Sequence, residues 1–424
     1  MVAGTSSSRG WDQWSKMVYN GENSSLFFIP GRRDGVLRLD LESGDLHQFG
    51  HGTITSIQSA IRKFVGAAMC PRGLIYAVPY DCNHVLKVNP RADPADEGAV
   101  ETLGSAQELR VLGSGKYAAA VAVGDYIIGV PFRATQVIRV DTRSDSLNLF
   151  GALPRGLNGS WGGGAVGSDG MVYCVPYNST SVLRIDPVQC RSSLSLMGRM
   201  DGRAKWWGCV RGRDGRHIYG VPHQASTILK IHVESGALEL IELRVAVRSS
   251  PPMVPGRQGS RGAEKSQKPM IISDPSRLKW GEAVLGTDSY IYGIPHDYGQ
   301  LLRFCPETQT CEVTKACKWS GGVVTKEGIL LGMHSQGQTL FRVDVSRWTH
   351  IVGWLVRLRY LVREARAEVQ CGRKAEVQGE GRSEAATAAV TAAAEQELAP
   401  FARTISHVVT LLPETPFRCV VRFL

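Results

Sequence analysis

The sequence contains no uninterrupted run of 18 apolar residues, which excludes a conventional transmembrane helix. Its first residues, MVAGTSSSRGWDQW, lack the apolar stretch of a secretory signal peptide. The ten cysteines include no C-x-x-C pair, and the histidines do not stand at the spacing of zinc ligands. We therefore expect a cytoplasmic protein with reduced thiols, no metal site and no cofactor.

The composition is that of a folded protein rather than a disordered one. Hydrophobic residues make up 43% of the chain and charged residues 21%. The 47 glycines exceed average usage and favour a fold with many tight turns. The net charge of +10 favours anionic partners but says nothing about the fold.

The chain contains seven imperfect copies of one repeat of about 45 residues. In each copy a position that is usually proline is followed, ten residues later, by a position that is most often aspartate. A large aromatic residue precedes the proline position by fourteen to sixteen residues. The proline positions are Pro30, Pro79, Pro131, Pro176, Pro222, Pro295 and His334. The aromatic residues are Trp14, Phe64, Tyr117, Trp161, Trp206, Trp280 and Trp319.

The fourth copy, SWGGGAVGSDGMVYCVPYNSTSVLRIDPVQCRSSLSLMG, has four short β-rich runs separated by turn signals. These runs predict strands over 163–166, 171–175, 182–185 and 193–196, with a hairpin at Asp169-Gly170. Four-stranded units repeated seven times predict an all-β fold, a seven-bladed β-propeller. A stacked solenoid is the alternative, but no repeat carries helix signals, and the strand order suits radial blades better.

Two segments interrupt this pattern. Residues 244–277 are rich in Arg, Ser, Pro and Gly and predict a mobile basic insertion between the fifth and sixth blades. Residues 354–424 begin with WLVRLRYLVREARAEVQ, which predicts an amphipathic basic helix followed by a low-complexity segment. We therefore expect a propeller over residues 1–353 and a separate tail.

The repeat also resembles known propeller families. The run DGMVYCVP with VLRID, and the run DGRHIYGVP with ILKIH, are similar to the blades of NHL-repeat, YVTN-repeat and quinoprotein-like propellers. The resemblance extends from Trp14 to Gly353. It implies the architecture, whereas these superfamilies include scaffolds, lactonases and lyases, so it leaves the activity open. No catalytic motif of these families maps onto the chain.

The propeller geometry predicts where a binding site would lie. The loops from strand D to strand A and from strand B to strand C open on one face, around the central channel. Lysines precede the aromatic residue in five copies, at Lys63, Lys116, Lys205, Lys279 and Lys318. Aromatic or imidazole rings follow the proline position in five copies, at Tyr80, Phe132, Tyr177, His223 and His296. We expect a rim of lysines and a collar of rings that bind an anionic or protein partner.

Each of these features also has a structural interpretation. Repeated tryptophans commonly wedge between blades, and a lysine beside an aromatic residue commonly lays its stem on the ring in a solvated rim. We expect a monomeric, non-enzymatic scaffold. The alternative is a lyase or hydrolase at the channel mouth that uses His223 or His296 as a base or metal ligand. The basic insertion and tail favour a third interpretation, attachment to nucleic acid or to an anionic membrane surface.

Overall fold

The computed structural model describes residues 14–57, 62–104, 106–153, 159–189, 194–245, 270–271, 278–316, 318–334, 339–345 and 356–357. One compact unit spans Met1–Leu39 and His47–Arg357 and contains nearly all of the described strands. The other spans Asp40–Leu46 and Leu358–Leu424, of which only Asp40–Leu46 is described. Within the described ranges, no helix is both long and apolar enough to span a bilayer.

The strands form seven antiparallel sheets, and we label the strands of each sheet A to D in chain order. Blade 1 contains Trp14–Asn20, Ser25–Pro30, Val36–Asp40 and Leu46–Phe49; blade 2 contains Phe64–Met69, Ile75–Pro79, Val85–Val88 and Val100–Leu103. Blade 3 contains Tyr117–Val123, Tyr126–Pro131, Val137–Asp141 and Ser146–Phe150; blade 4 contains Trp161–Val166, Val172–Pro176, Val182–Ile185 and Leu194–Met197. Blade 5 contains Trp206–Arg211, His217–Pro222, Thr227–His232 and Leu238–Glu242. Blade 6 contains Trp280–Leu285, Ile291–Pro295, Gln300–Cys305 and Thr310–Lys315. Blade 7 contains Trp319–Val324, Ile329–His334, Thr339–Asp344 and Val356–Arg357. Short helices lie at His51–Thr55, Glu97–Ala99 and Ala106–Arg110.

The seven sheets close into a ring. Strand A of each blade contacts strand A of the next blade, and strand A of blade 7 contacts strand A of blade 1. The predicted seven-bladed β-propeller is therefore confirmed. The strands of blade 4 also lie within one or two residues of their predicted bounds, because the turn signals of the repeat mark the real strand ends.

The recurrent aromatic residue fixes strand A to the rest of its blade. Trp161 pairs with Pro176, and the ladder is irregular directly after it, as it is after the aromatic residue of every other blade. The Trp161 side chain is buried, and its Nε1–H donates to the carbonyl of Ser181 at 2.8 Å. The aromatic residues thus begin strand A, which in blade 4 starts two residues before its predicted bound. Their side chains are buried in clusters that combine residues of their own blade with residues of the preceding blade, for example Trp161 with Val121 and Val130 of blade 3.

A second recurrent contact explains the Asp, Tyr and Arg positions of the repeat. In blade 4 the hydroxyl of Tyr173 donates to Asp169 Oδ2 at 2.8 Å, and Arg184 Nη2 donates to the same oxygen at 3.0 Å. The equivalent residues of blade 6, which make the same bonds, are Asp288, Tyr292 and Arg303. The hairpin aspartate therefore ties the turn between strands A and B to strands B and C of its own blade.

A chain of backbone hydrogen bonds links six of the blades at one face. It alternates between the residue that follows the proline position and the residue that precedes strand A of the next blade. Ten successive N–H groups donate to the previous carbonyl at 2.6 to 3.0 Å. We call this chain the loop belt; its members are Gly31, Lys63, Tyr80, Lys116, Phe132, Ser160, Tyr177, Lys205, His223, Lys279 and His296.

The lysines of the loop belt point into the protein, which corrects the prediction of a solvated lysine rim. Lys63, Lys116, Lys205 and Lys279 are all buried. Each Nζ donates to backbone carbonyls of the preceding blade's B–C loop: Lys116 to Cys82 at 2.9 Å, and Lys205 to Ser179 at 2.8 Å. Buried carbonyl oxygens need donors, and the adjacent blade supplies them as ammonium groups.

The two interrupting segments also differ from the prediction where they are described. Arg244–Val245 and Met270–Ile271, within the predicted basic insertion, are short strands that extend the outer edge of the blade 6 sheet. Strand D of blade 7 is Val356–Arg357, beyond the expected propeller end at residue 353 and inside the predicted amphipathic helix. The remainder of the insertion and of the tail lies outside the described residues.

The buried lysines generate a stability prediction. Replacing Lys116 with methionine keeps the apolar stem but leaves the carbonyls of Asp81 and Cys82 without their ammonium donor. An unsatisfied buried acceptor costs about 1–3 kcal/mol, so we expect Lys116→Met to lower the free energy of unfolding by about 2–3 kcal/mol. Urea denaturation followed by far-UV circular dichroism measures this change.

The matched control is Lys318→Met, because Lys318 precedes strand A of blade 7 but its side chain is 52% exposed. Its ion pair with Asp297 is solvated, so the control should change stability by less than about 1 kcal/mol. Equal losses for the two variants would contradict the role of Lys116 as a buried donor between blades.

Candidate functional site

The propeller encloses a central cavity of about 850 Å³. Residues from strand A of all seven blades line it, and many of them are small, such as Ala119, Gly163 and Gly208. The small residues follow from crowding, because a Cβ at Gly66 would lie 2.4 Å from the Cα of Ala119 on the next blade. A cavity of this volume is within the range that holds small-molecule ligands.

Aromatic and imidazole rings surround one end of the cavity. Neighbouring ring centroids lie 5.0 to 6.0 Å apart in an unbroken series from blade 2 to blade 6. We call this series the six-ring collar; its members are Tyr80, Phe132, Tyr177, Trp207, His223 and His296. All six line the cavity. The structure thus brings together the five ring-bearing residues that the sequence singled out, and their role in binding stays a prediction.

Trp207 was not anticipated from the sequence. It is the second residue of strand A in blade 5, and its ring lies 5.1 Å from Tyr177 and 5.8 Å from His223. The equivalent positions of blades 4 and 6 are glycines, Gly162 and Gly281. The doubled tryptophan of blade 5 was therefore a visible exception to the repeat, and it could have been read as a ring in the channel mouth.

The backbone holds the collar in place. Each predicted ring directly follows the proline position of strand B and belongs to a member of the loop belt, and the backbone N–H of that residue donates within the belt. At Gly159 the chain has a φ of +86°, and a Cβ there would lie 2.4 Å from the ring of Phe132. This position requires glycine for its backbone conformation and for the space that the ring occupies.

His223 is a neutral imidazole with a defined tautomer. Its Nδ1 lies 2.8 Å from the carbonyl oxygen of Trp280, and because a carbonyl only accepts, Nδ1 carries the proton. Burial lowers the pKa of His223 to about 4. Nε2 therefore keeps its lone pair at neutral pH, and among the described residues it has no hydrogen-bond donor.

The other polar groups of the collar differ in their surroundings. Burial lowers the pKa of His296, while the carboxylate of Asp297, 3.4 Å from Nδ1, acts in the opposite direction. Burial raises the pKa of Tyr80 and of Tyr177, so both hydroxyls are protonated donors at neutral pH. The collar thus presents hydroxyl donors and an imidazole acceptor beside aromatic faces.

Arg62 brings a positive charge to the mouth. It precedes the loop-belt lysine of blade 2 and lines the cavity. Burial raises the pKa of Tyr80, on blade 2, and lowers the pKa of His296, on blade 6; the Arg62 guanidinium acts to lower both. Arg62 is therefore within electrostatic reach of groups on two separated blades.

The five predicted lysines do not line the cavity. Four are the buried members of the loop belt, and burial lowers the pKa of Lys205 to about 8, while the Asp201 carboxylate acts in the opposite direction. Lys318 is exposed, and its Nζ lies 3.1 Å from Asp297 Oδ1. The cations that do line the cavity are Lys16 and Arg62, and Lys16 forms an ion pair with Glu282.

The described part of the chain contains no cluster of metal-ligating side chains. There, no three His, Cys, Asp or Glu side chains are grouped so that they could hold a metal ion. His223 and His296 are neighbours, with ring centroids 5.0 Å apart, and Asp297 contacts only His296 of the two. The collar is therefore better suited to ring stacking and hydrogen bonding than to coordination.

Comparisons with known proteins support the architecture. No protein-family model matches the sequence, and no curated protein matches it. Among solved structures, a streptogramin B lyase superposes with a TM-score of 0.55 at 13% identity, covering 77% of this chain and 92% of its own. The virginiamycin B lyase from Staphylococcus aureus gives 0.54 at 10% identity, with 78% and 93% coverage. A chain of the mitotic checkpoint complex gives 0.50 at 10% identity, with 78% and 90% coverage.

These identities are low, and the similarity concerns the fold alone. The three structures come from enzymes and from a protein assembly, so the architecture they share does not select one function. The chain is a seven-bladed β-propeller, similar to virginiamycin B lyase and to other propellers.

Proposed function

We propose that the protein is a non-enzymatic propeller that binds a small anionic ligand at the mouth of its central cavity. The observation that carries the proposal is the six-ring collar with the Arg62 guanidinium beside it. Aromatic faces favour a planar ligand, and a guanidinium favours a carboxylate or a phosphate.

The electrostatics of the mouth also support an anionic ligand. His223 is neutral and therefore does not repel a cation or attract an anion by charge. Arg62 and the ammonium of Lys16 are both in the lining, against the single carboxylate of Glu282. In a cavity with small apolar walls the charges of the lining are weakly screened, so two cations against one carboxylate favour anions.

The proposal is tested by isothermal titration with a panel of aromatic carboxylates and aryl phosphates, each paired with its uncharged amide or alcohol. We expect the anions to bind more tightly than their uncharged counterparts. Arg62→Ala should weaken anion binding by about ten- to hundredfold, since a hydrogen bond to a charged group contributes about 1.5–3 kcal/mol. Trp207→Leu should weaken binding of the anions and of the uncharged compounds alike.

The control is Arg143→Ala, because Arg143 is exposed and its ion pair with Asp125 lies outside the cavity lining. Its affinity for the anions should equal that of the unsubstituted protein. If Arg62→Ala and Arg143→Ala had the same effect, or if the uncharged compounds bound as tightly as the anions, anion binding at the mouth would be refuted.

A second proposal is that the mouth carries out a lyase or hydrolase reaction with His223 as the general base. It is favoured by the fixed tautomer of His223, which leaves Nε2 without a proton, and by the place of His223 in the cavity lining. The superposed lyases also indicate that this architecture accommodates such chemistry in other proteins.

For this second proposal we expect turnover of virginiamycin B or of a lactone and aryl ester panel by the unsubstituted protein. His223→Asn keeps a donor for the Trp280 carbonyl and removes Nε2, so the rate should fall by about 10²- to 10⁴-fold. Because the neutral form of His223 is present above its pKa of about 4, the rate should be constant from pH 5 upward and decline as the pH falls through 4.

The control variant is His51→Asn, which changes an exposed histidine in a short helix away from the cavity. The His51→Asn variant should turn over substrate at the rate of the unsubstituted protein. Undetectable turnover of the whole panel, or an unaltered rate in His223→Asn, would exclude His223 as the base.

A further inference from the structure

One ion pair breaks the repeat in the wall of the channel. Two residues after the recurrent aromatic residue, five blades carry glycine or alanine, whereas blades 1 and 6 carry charged residues. In chain order these positions are Lys16, Gly66, Ala119, Gly163, Gly208, Glu282 and Gly321. All seven line the cavity. The two charged exceptions pair with each other.

The pair spans a whole blade. Glu282 reaches across strand A of blade 7, where the N–H of Gly322 donates to its Oε2 at 3.0 Å. A Cβ at Gly321 would lie 3.3 Å from the same oxygen, so a small residue there leaves room for the carboxylate. Glu282 then contacts the ammonium of Lys16 on blade 1.

Lys16 has more donors than partners. An ammonium carries three N–H groups, and among the described residues Glu282 is the one acceptor in contact with it. The side chains of Lys16 and Glu282 keep 25% and 21% of their surface accessible, and both line the cavity. Because the surrounding wall consists largely of Gly, Ala and Val, whose side chains offer no acceptor, a ligand or solvent in the cavity can accept from the remaining donors of Lys16.

A purely structural role is the competing interpretation. The pair joins blade 6 to blade 1 and could strengthen ring closure across blade 7. However, moving two charges partly out of water is costly, and apolar residues commonly stabilise such a position as well as an ion pair does. A structural clamp therefore does not require charges, whereas recognition of a charged ligand does.

We propose that Lys16 and Glu282 form the polar end of the ligand site, and that the ligand is a small aromatic carboxylate with a hydrogen-bond donor next to the carboxylate, namely an α-hydroxy or α-amino acid. The carboxylate accepts from Lys16, and the neighbouring hydroxyl or ammonium donates to Glu282. This assignment rests on the proposed anion binding at the mouth and specifies which acids are selected.

The collar and the ion pair are close enough to bind one small molecule. Lys16 and Glu282 are each the third residue of their strand A, whereas Trp207 is the second residue of its own strand A. One residue of a β-strand corresponds to a rise of about 3.3 Å. His296 of the collar sits over Gly281, because a Cβ at that glycine would lie 3.2 Å from the His296 ring. Glu282 is the next residue of the same strand, so a ligand whose ring contacts His296 can place its polar end at Glu282.

The test uses four probes that share an indole ring, each titrated calorimetrically into the full chain. Indole-3-lactate and tryptophan carry the carboxylate and the adjacent donor; indole-3-propionate lacks the donor; tryptamine lacks the carboxylate. We expect the first two to bind at least about tenfold more tightly than the last two. The donor-free acid leaves Glu282 facing the ligand without a hydrogen bond, and the amine leaves Lys16 without an acceptor.

Variants separate recognition from ring closure. Lys16→Met combined with Glu282→Met removes both charges together, so neither is left buried without its partner. We expect this double variant to fold, and to bind the four probes with affinities within about threefold of one another. Lys326→Met, which changes an exposed lysine outside the cavity lining, should retain the selectivity.

The results that would overturn this ligand assignment differ from those that would overturn anion binding at the mouth. If the four probes bound equally to the unsubstituted protein, or if the double variant kept the selectivity, the ion pair would not be the polar end of the site. If the two acids with donors failed to bind at millimolar concentration, the assigned ligand class would be wrong. In either case, titration of Arg62→Ala and Trp207→Leu with the wider panel of carboxylates and phosphates still tests separately whether the mouth binds anions.

Discussion

The channel mouth depends on the loop belt, the chain of backbone hydrogen bonds that joins the B–C loop of one blade to the loop before strand A of the next. Adjacent blades also meet through packed side chains, which fix distances less strictly than hydrogen bonds do. Because five of the six collar rings belong to residues of the belt, the positions of those five rings follow from the belt rather than from their own contacts. A site of this kind is organised before any ligand arrives, and the ordering cost of binding is correspondingly small.

The buried lysines are the second part of this arrangement. A loop that turns back at the end of strand B leaves carbonyl oxygens without strand partners, and burial makes each unpaired carbonyl costly. The ammonium groups of Lys63, Lys116, Lys205 and Lys279 supply the donors. The charge is thus used inside the protein, which is why the lysines that the repeat aligns so regularly do not form a cationic surface.

The sequence predicted the blades well because each strand end is marked by local chemistry. Proline cannot donate to a ladder, Asp-Gly closes the hairpin, and the aromatic residue of strand A pairs with the proline across the blade. The direction of the lysines could not be predicted in this way, because their acceptors belong to a neighbouring blade, 26 to 55 residues away in the chain. The candidate site was predicted in part. Five collar residues follow from the proline register: Tyr80, Phe132, Tyr177, His223 and His296. The sixth collar residue, Trp207, and the ion pair of Lys16 and Glu282 are departures from the repeat. In a repeat protein such departures deserve more weight than the repeated residues, since stacking alone accounts for the latter.

A neutral imidazole in the mouth does not by itself decide between binding and catalysis. A general base needs a substrate proton within hydrogen-bond reach and a group that stabilises the charge formed when that proton leaves. Lys16 is such a cation in the same cavity, while Glu282, held by Lys16 and by the N–H of Gly322, is unsuited to donate a proton. Binding and proton abstraction would therefore use the same groups, and the distinction between them lies in the ligand. Under the two proposals, an acid whose donor faces Glu282 would be held without reaction, whereas a compound that directs an acidic C–H toward His223 Nε2 would meet the base that the Trp280 carbonyl orients.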